Sequence, residues 1–282
     1  MHLTLPNNNH QVNCQWLAKH LAHPDLVVLD ASMDNPVNQH AAVSNLVIEG
    51  ALRFDFSNDI VAPNTPSPNM MPNAELFQQK VKDLGINQSS TVIVYDKNGL
   101  FSAARAWFMF KTMGFDNVAI LQGGLPAWCE ANLPTQSTHS AAKHLGNFEI
   151  TDIRHLFVDK QYVLNAITDE QKQIVDARGY GRFSGKEAEP REGMRSGHIP
   201  NSLNLHYAKL VSEGHLLGQE QLKKIFSELT PSPDEFIFSC GSGVTACILA
   251  LAAEISGFEQ VKVYDGSWSE WGADKLLPID KI

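Results

Sequence analysis

Residues 236–253, FIFSCGSGVTACILALAA, join a short apolar run to a longer one through a turn that contains two glycines. The first run has the length and residue types of a buried strand, and the second is long enough for a helix that is apolar on nearly every face. A buried strand, a glycine turn and a buried helix in this order are typical of an α/β protein with a mostly parallel sheet. Gly257 predicts the end of the helix, because glycine readily takes the left-handed conformation that closes many helices.

Cys240 lies where the predicted strand ends and the turn begins. Glycines in such a turn let successive backbone N–H groups point towards one centre, and the N-terminus of the following helix adds partial positive charge. A thiolate is stabilised in this setting, so Cys240 is a candidate nucleophile. On these residues alone, a packed core cysteine is an equal alternative. Cys247, inside the apolar helix, is expected to be a core residue. The predicted ring of donors comprises Gly241, Ser242, Gly243, Val244 and Thr245.

The chain contains an internal repeat. Asp96 precedes Cys240 by 144 residues in a similar context, and Gly114 and Trp128 precede Gly257 and Trp271 by 143 residues each. Self-similarity at a fixed distance predicts two copies of one α/β domain. We expect a first, non-catalytic domain at 10–134, in which Asp96 stands in place of the cysteine. A linker is expected at 135–161 and a catalytic domain at 162–282. The predicted strands are 25–32, 91–96, 117–124, 173–178, 235–240 and 261–267.

Composition excludes several classes of function. The chain has 282 residues, 43% of them hydrophobic and 19% charged, with a formal net charge of −9. A protein this acidic lacks the basic face that binds nucleic acid, and no apolar run is long enough for a membrane partner or span. The four cysteines form no CxxC pair and no Cys/His cluster, so we expect no metal. Free thiols and the absence of a secretory pattern favour the cytoplasm.

Four long segments carry a resemblance to a known family. Residues 239–246 (SCGSGVTA), 264–272 (YDGSWSEWG), 176–205 and 102–128 are similar to the tandem-domain rhodanese family. Within that family the chain resembles 3-mercaptopyruvate sulfurtransferases more than thiosulfate sulfurtransferases, because small neutral residues rather than basic ones follow the cysteine. The resemblance implies two tandem rhodanese-like α/β domains, each a mostly parallel sheet with helices on both faces, the first of them inactive.

The resemblance also implies a reaction. Sulfur would pass from 3-mercaptopyruvate to Cys240, which holds it as a persulfide, and then to a thiophilic acceptor such as cyanide, a thiol or thioredoxin. This is a ping-pong reaction that requires neither a metal nor an organic cofactor. Ser242 matches a catalytic serine of the family.

Five side chains on the segment 176–205 invite a functional interpretation. By resemblance, Arg182 and Arg191 match two arginines that bind the substrate, and a planar guanidinium suits a carboxylate. Arg178, at a strand end, is expected to form a structural ion pair, and Arg195 is expected to be solvated. His198 is expected to make a structural hydrogen bond.

The chain departs from the family pattern at one place. The resemblance implies that a proton moves with the help of the loop serine and of an Asp and a His of the first domain. Here Asn69 stands where the His is expected, and Ser57 stands where the acid is expected, with Asp59 nearby. The sequence therefore puts a proton relay of the family type in question, and the consequence would be either low activity or a different natural donor.

Three alternative functions compete with this reading. Thiosulfate is the second choice of sulfur donor. A cysteine phosphatase is disfavoured, because CGSGVTA (240–246) has no arginine to hold a phosphate. A persulfide carrier or binding module without turnover is the remaining alternative, and stoichiometric persulfide without catalysis would indicate it.

Overall fold

The computed structural model describes residues 3–6, 10–33, 45–230 and 233–282. The chain forms two compact units. Unit 1 comprises Met1–Ala62, Pro72–Arg154 and Glu213–Leu216, and unit 2 comprises Pro63–Met71, His155–Ser212 and Leu217–Ile282. Each unit therefore includes a short segment from the other half of the chain.

Strands and helices alternate along the described residues. In chain order they are β1 (Gln11–Val12), α1 (Cys14–His20), β2 (Leu26–Asp30), β3 (Val47–Ile48), β4 (Leu52–Arg53), α2 (Ala74–Asp83), β5 (Thr91–Tyr95), α3 (Ala103–Thr112), β6 (Val118–Leu121), α4 (Gly124–Glu130), β7 (Thr135–Gln136), β8 (Phe157–Val158), α5 (Lys160–Ala166), β9 (Lys172–Asp176), α6 (Tyr180–Ser184), β10 (Leu203–Asn204), the 3₁₀ turn Tyr207–Lys209, β11 (Val211–Ser212), β12 (His215–Leu216), α7 (Gln219–Leu229), β13 (Glu235–Ser239), α8 (Ala246–Ser256), β14 (Val261–Tyr264) and α9 (Ser267–Trp271).

Unit 1 is built on a five-stranded sheet in the order β1-β6-β5-β2-β4, with every neighbouring pair parallel. β5 lies at its centre and is buried along its whole length. Such a strand needs apolar residues on both faces, which TVIVY supplies after its first residue. Nine of the ten residues of α3 are also buried. β3 pairs with β7, and Phe148 is 1% exposed, so part of the predicted linker packs within this unit.

Unit 2 repeats this architecture. Its sheet has the order β10-β9-β13-β14-β8, again with every neighbouring pair parallel. Read from the other edge, this is the order of the equivalent strands in unit 1. A side-chain contact is repeated as well: the indole N–H of Trp128 donates to the carbonyl of Pro134 at 2.8 Å, and that of Trp271 donates to the carbonyl of Pro278 at 2.7 Å.

The α8 helix packs against α7, β13 and β14 in unit 2. Its residues Ala246–Ala253 are all buried, as the uninterrupted apolar sequence predicts. Gly257 closes the helix with φ 95°, in the left-handed region, which confirms the predicted helix end. All six predicted strands are present, and the predicted α/β fold with two parallel sheets is confirmed. Among the helices the structure describes, none has the length and apolarity needed to cross a bilayer.

Candidate active site

Cys240 follows β13, the central strand of the unit 2 sheet, and is 2% exposed. Its backbone is held by the first residues of α9, the helix that follows the neighbouring strand β14. The Cys240 N–H donates to Ser267 Oγ at 3.1 Å, and the Cys240 carbonyl accepts from the Trp268 N–H at 2.9 Å. Ser267 Oγ in turn donates to the carbonyl of Tyr264 at 2.8 Å. The carboxyl ends of two adjacent parallel strands thus place the cysteine, as is common for ligand sites in α/β sheets.

The loop after Cys240 leads directly into α8. Gly243 has φ 72°, a conformation that side chains rarely adopt, and Cys247 Sγ donates to its carbonyl at 3.3 Å. Cys247 itself is fully buried, as predicted for a core residue. In the part of the chain that the structure describes, the backbone N–H groups of residues 241, 242, 244 and 245 have no protein acceptor. These groups are therefore free to bind an anion.

Unit 1 carries a direct comparison for this loop. Asp96 follows β5, which is the counterpart of β13, and its carboxylate accepts from four backbone N–H groups. One oxygen binds the N–H of Asn98 at 2.8 Å. The other binds those of Phe101, Ser102 and Ala103 at 2.8, 2.8 and 2.9 Å. The turn at this position of the fold therefore surrounds a carboxylate with backbone donors at the start of a helix. Burial raises the pKa of Asp96, and the four N–H bonds act in the opposite direction.

Arg182 lies against the cysteine loop on α6. A β-carbon built on Gly241 would be 3.3 Å from Nη2 of Arg182. The guanidinium is oriented by Glu189, whose Oε2 accepts from Nε at 3.1 Å and from Nη2 at 2.5 Å. Glu189 Oε1 accepts from Arg178 at 2.6 Å. Burial would penalise the Glu189 charge, and the two guanidinium groups compensate for it.

Arg191 reaches the same loop through one side chain. Its Nη1 donates to Ser269 Oγ at 2.5 Å, and Ser269 Oγ donates to the carbonyl of Gly241 at 2.5 Å. The Ser269 backbone N–H also donates to this carbonyl, at 2.9 Å. Arg191 is exposed, so its guanidinium is accessible from solvent while one nitrogen is fixed. The structure therefore brings both predicted substrate arginines to the cysteine loop.

Arg178 and Arg195 have structural contacts. Arg178 is buried, pairs with Asp176 at 2.6 Å and lies 4.1 Å above the ring centroid of Trp268, which confirms its predicted ion pair. The expectation that Arg195 is solvated is wrong. Its guanidinium donates to four backbone carbonyls, those of Trp271, Gly272, Asp274 and Leu277, at 2.5 to 3.1 Å. It ties the last segment of the chain to unit 2.

His198 has the predicted structural role. Its Nδ1 lies 2.8 Å from the carbonyl of Phe183, and its ring stacks on the Phe183 ring at a centroid distance of 4.0 Å. With 6% exposure it is closed off from solvent. Nothing in this geometry brings it to the Cys240 loop.

Asn69 belongs to unit 2 and contacts Ser242. Its Nδ2 lies 3.3 Å from Ser242 Oγ and 3.5 Å from the Ser242 carbonyl oxygen. The other two residues of the predicted departure belong to unit 1. Asp59 forms an ion pair with Lys80, and Ser57 Oγ is buried without a hydrogen-bond partner among the described residues.

Sequence reasoning missed three side chains that build this site: Glu189, Ser267 and Ser269. Both serines lie within YDGSWSEWG, directly after a predicted strand, so their position at the carboxyl edge of the sheet was a usable signal. Glu189 had a weaker signal, a carboxylate in a segment with four arginines. No group of three or more His, Cys, Asp or Glu residues suited to a metal ion occurs in the described ranges.

The arrangement is suited to one kind of chemistry. A buried thiol stands at the entrance of a loop with unoccupied N–H donors, and two arginines approach the same loop. Such a site combines a sulfur nucleophile with groups that hold an anionic adduct and a carboxylate-bearing substrate.

Comparisons with known proteins agree with this architecture. The model of the rhodanese-like domain family matches residues 13–131 and again residues 159–274. The 3-mercaptopyruvate sulfurtransferase of Escherichia coli strain K12 is 39% identical over 277 residues, covering 96% of this chain and 98% of that protein. The mitochondrial thiosulfate/3-mercaptopyruvate sulfurtransferase 1 of Arabidopsis thaliana is 37% identical, covering 96% and 78%. The crystal structure of SseA from Escherichia coli superposes with a TM-score of 0.81 at 36% identity, covering 93% of this chain and 99% of that one.

Proposed function

The chain belongs to the rhodanese-like family and is a sulfurtransferase, and from this premise we propose that it transfers sulfur from 3-mercaptopyruvate through a persulfide on Cys240. The relatives named above act on 3-mercaptopyruvate or, in one case, on thiosulfate as well. A sulfurtransferase has a small sulfur donor and an acceptor, and the choice of donor rests here on the residues around Cys240.

The observation that carries the proposal is the bound carboxylate of Asp96. Its counterpart position in unit 2 is Cys240, which follows the equivalent strand and precedes the equivalent helix. Three donors that bind the Asp96 carboxylate, the N–H groups of Phe101, Ser102 and Ala103, have their counterparts at Val244, Thr245 and Ala246. The anionic sulfur of a Cys240 persulfide would take the place of the carboxylate. Gly241, Ser242 and Gly243 line the same turn with no basic side chain.

The proposed reaction balances without an external proton. The Cys240 thiolate attacks the sulfur of the donor HS–CH₂–CO–COO⁻, an S–S bond forms and the C–S bond breaks. The electron pair of the C–S bond leaves with the carbon fragment as the enolate of pyruvate. The proton that the donor sulfur carried passes to the enolate carbon, which gives pyruvate and the persulfide anion. The loop N–H groups stabilise that anion.

We propose that Arg182 and Arg191 bind the sulfur donor. A guanidinium binds a carboxylate with two parallel hydrogen bonds, and 3-mercaptopyruvate offers a carboxylate and a keto oxygen. Within the described residues, Nη1 of Arg182 has no protein partner, so it is available for this contact. The oxygens of thiosulfate can also accept from a guanidinium, so the preference for the keto acid rests on the small, neutral residues that follow Cys240.

The proposed domain organisation follows from the same internal repeat. We propose residues 162–282 as the catalytic domain, 10–134 as a domain that carries no catalytic cysteine, and 135–161 as the connection.

The acceptor is a thiophile, for which we propose cyanide in the assay and a thiol or a thioredoxin-like protein in the cell. A catalytic thiol that must stay reduced suits the cytoplasm.

Steady-state kinetics with cyanide as acceptor test the donor assignment. The full-length protein is assayed with 3-mercaptopyruvate and with thiosulfate, alongside Arg182→Lys and Arg191→Lys. We expect kcat/KM to favour 3-mercaptopyruvate in the parent protein and to fall about tenfold or more for that donor in each variant, the loss expected for a bidentate carboxylate contact. Higher kcat/KM for thiosulfate in the parent would replace the proposed donor. Persulfide formation without turnover would indicate a carrier instead.

A further inference from the structure

Asn69 contacts Ser242 although it lies far from it in the sequence. Both residues belong to unit 2, and Asn69 is 4% exposed. Its φ of 60° lies in the left-handed region, which asparagine accepts more readily than most residues other than glycine. Backbone and burial therefore hold the amide in one place against the cysteine loop.

The two contacts fix which end of the amide faces Ser242. The carbonyl oxygen of Ser242 has no proton, so the Asn69 group 3.5 Å from it must be the NH₂ group rather than the amide oxygen. The same nitrogen lies 3.3 Å from Ser242 Oγ and donates to it. The hydroxyl proton of Ser242 consequently points away from Asn69. Ser242 Oγ has no second protein partner among the residues the structure describes, so this proton can be donated to a group bound at the loop.

An amide neither takes up nor releases a proton near neutral pH, so Asn69 gives Ser242 no base. We propose that Asn69 is a positioning residue that fixes Ser242 as a hydrogen-bond donor to the substrate at the Cys240 loop, with no titrating relay through position 69. The inference rests on the proposed function, because the Ser242 hydroxyl matters to catalysis only when a sulfur donor binds there. The proton balance given above is consistent with it, since the donor brings the proton that pyruvate retains.

Charged side chains also lie close to Asn69 and Ser242. Asp265 accepts the backbone N–H of Met71 at 2.7 Å and so holds the segment that carries Asn69. Arg182 lies against Gly241, next to Ser242, and Cys240 precedes them. These groups are common to the parent and to every variant at position 69, so a pH dependence that appears only in Asn69→His belongs to the introduced histidine.

The first test removes the amide without straining the backbone. Asn69→Gly keeps the left-handed conformation, and Asn64→Gly is the matched control. Asn64 has φ 58°, is exposed and lies in the same segment of unit 2. We expect kcat with 3-mercaptopyruvate to fall about tenfold in Asn69→Gly relative to Asn64→Gly, with a smaller change in KM, the effect of losing one oriented hydrogen bond. Single-turnover loading of Cys240 should still reach one sulfur per chain.

The second test adds a titrating group at the same place. In Asn69→His we expect the profile of kcat against pH to gain an acid limb that the parent lacks. Its midpoint should lie at or below the free histidine pKa of about 6.5, because burial at this position disfavours the charged imidazolium. A purely structural role for residue 69 would change the melting temperature and leave the shape of this profile unaltered.

The outcomes separate the two proposals. If the parent turns over and Cys240→Ser does not, but Asn69→Gly equals Asn64→Gly in kcat, the inference about Asn69 is overturned and the proposed function stands. A parent profile that already shows this acid limb, unchanged in Asn69→His, overturns the inference as well. If no persulfide forms on Cys240 from either 3-mercaptopyruvate or thiosulfate, both proposals fall.

Discussion

Glu189 holds Arg182 through two nitrogen atoms, with Nε and Nη2 of the guanidinium 3.1 and 2.5 Å from one carboxylate oxygen. The Glu189 side chain is 3% exposed, whereas that of Arg182 is 25% exposed. One edge of the guanidinium is therefore anchored inside unit 2 and the remaining nitrogen is left for a ligand. This geometry orients an arginine before a substrate arrives, which lowers the entropy lost on binding.

Neutralising Glu189 should weaken substrate binding and stability together. In Glu189→Gln we expect KM for 3-mercaptopyruvate to rise about tenfold, because the Arg182 guanidinium loses the carboxylate that orients it. The free energy of unfolding should fall by about 3 kcal/mol, because the buried Arg178 keeps only Asp176 as an ionic partner. Kinetics and chemical denaturation measure both effects. Glu192→Gln, an exposed residue of the same loop, is the control. An unchanged KM in Glu189→Gln would contradict the positioning of Arg182 by Glu189.

A single methyl group on Gly241 should disturb Arg182. The β-carbon in Gly241→Ala would lie 3.3 Å from Arg182 Nη2, so the guanidinium must shift by a few tenths of an ångström. We expect a rise in KM of about threefold, with kcat and melting temperature close to those of the parent, since a small displacement costs only part of a hydrogen bond. Gly179→Ala is the matched control, because a β-carbon there meets nothing within 4 Å. Equal KM values in the two variants would show that Arg182 does not touch the donor.

Asp96→Asn tests whether the Asp96 carboxylate stabilises the loop of unit 1 that surrounds it. The substitution keeps the shape but replaces one acceptor oxygen, which faces backbone N–H groups, with an NH₂ group. Losing hydrogen bonds in a fully buried site, and leaving N–H groups without an acceptor, should lower the free energy of unfolding by about 2–3 kcal/mol. Persulfide loading of Cys240 should stay at one sulfur per chain. Thermal denaturation gives the first quantity and mass spectrometry the second; an unaltered melting temperature would count against the anion-binding interpretation.

Stability should depend on pH through His10. Burial, with a contribution from the charge of Lys111, lowers the pKa of His10 from 6.5 to about 4. The unfolded chain therefore takes up a proton at a higher pH than the folded chain does. The stability that neutral His10 contributes is complete above pH 6.5 and is lost as the pH falls towards 4, by on the order of 2 kcal/mol. Denaturation at several pH values should show a shallower dependence in His10→Gln than in the parent. His144→Gln, at an exposed position, should retain the parent slope.

Much of the fold followed from local pattern. β13 and α8 were predictable because a buried strand and a buried helix both require apolar runs. The end of α8 was predictable from Gly257 alone, because glycine readily adopts the left-handed conformation that closes a helix. The repeat in the sequence reappears as two sheets with equivalent strand order. Cys240 was predictable as a site residue because its strand, turn and helix are contiguous in the chain.

The contacts that complete the site could not be predicted in the same way. Ser269 reaches Gly241, and Asn69 reaches Ser242, across separations of 28 and 173 residues. No periodicity encodes such contacts, since they depend on which strands become neighbours. Arg195 shows the same limitation: an arginine in a polar segment looks solvated in the sequence, and its four carbonyl partners exist only once the end of the chain has packed.

Mass spectrometry of the intact protein after brief exposure to 3-mercaptopyruvate tests the central claim most directly. The account predicts that the chain gains the mass of one sulfur atom, that cyanide removes it with formation of thiocyanate, and that the gain is absent in Cys240→Ser. Cys247→Ser, which alters a buried thiol on α8 that donates to the carbonyl of Gly243 in the same loop, should still gain the sulfur. A parent protein that gains no sulfur, or a gain that persists in Cys240→Ser, would contradict the assignment of Cys240 as the residue that carries sulfur.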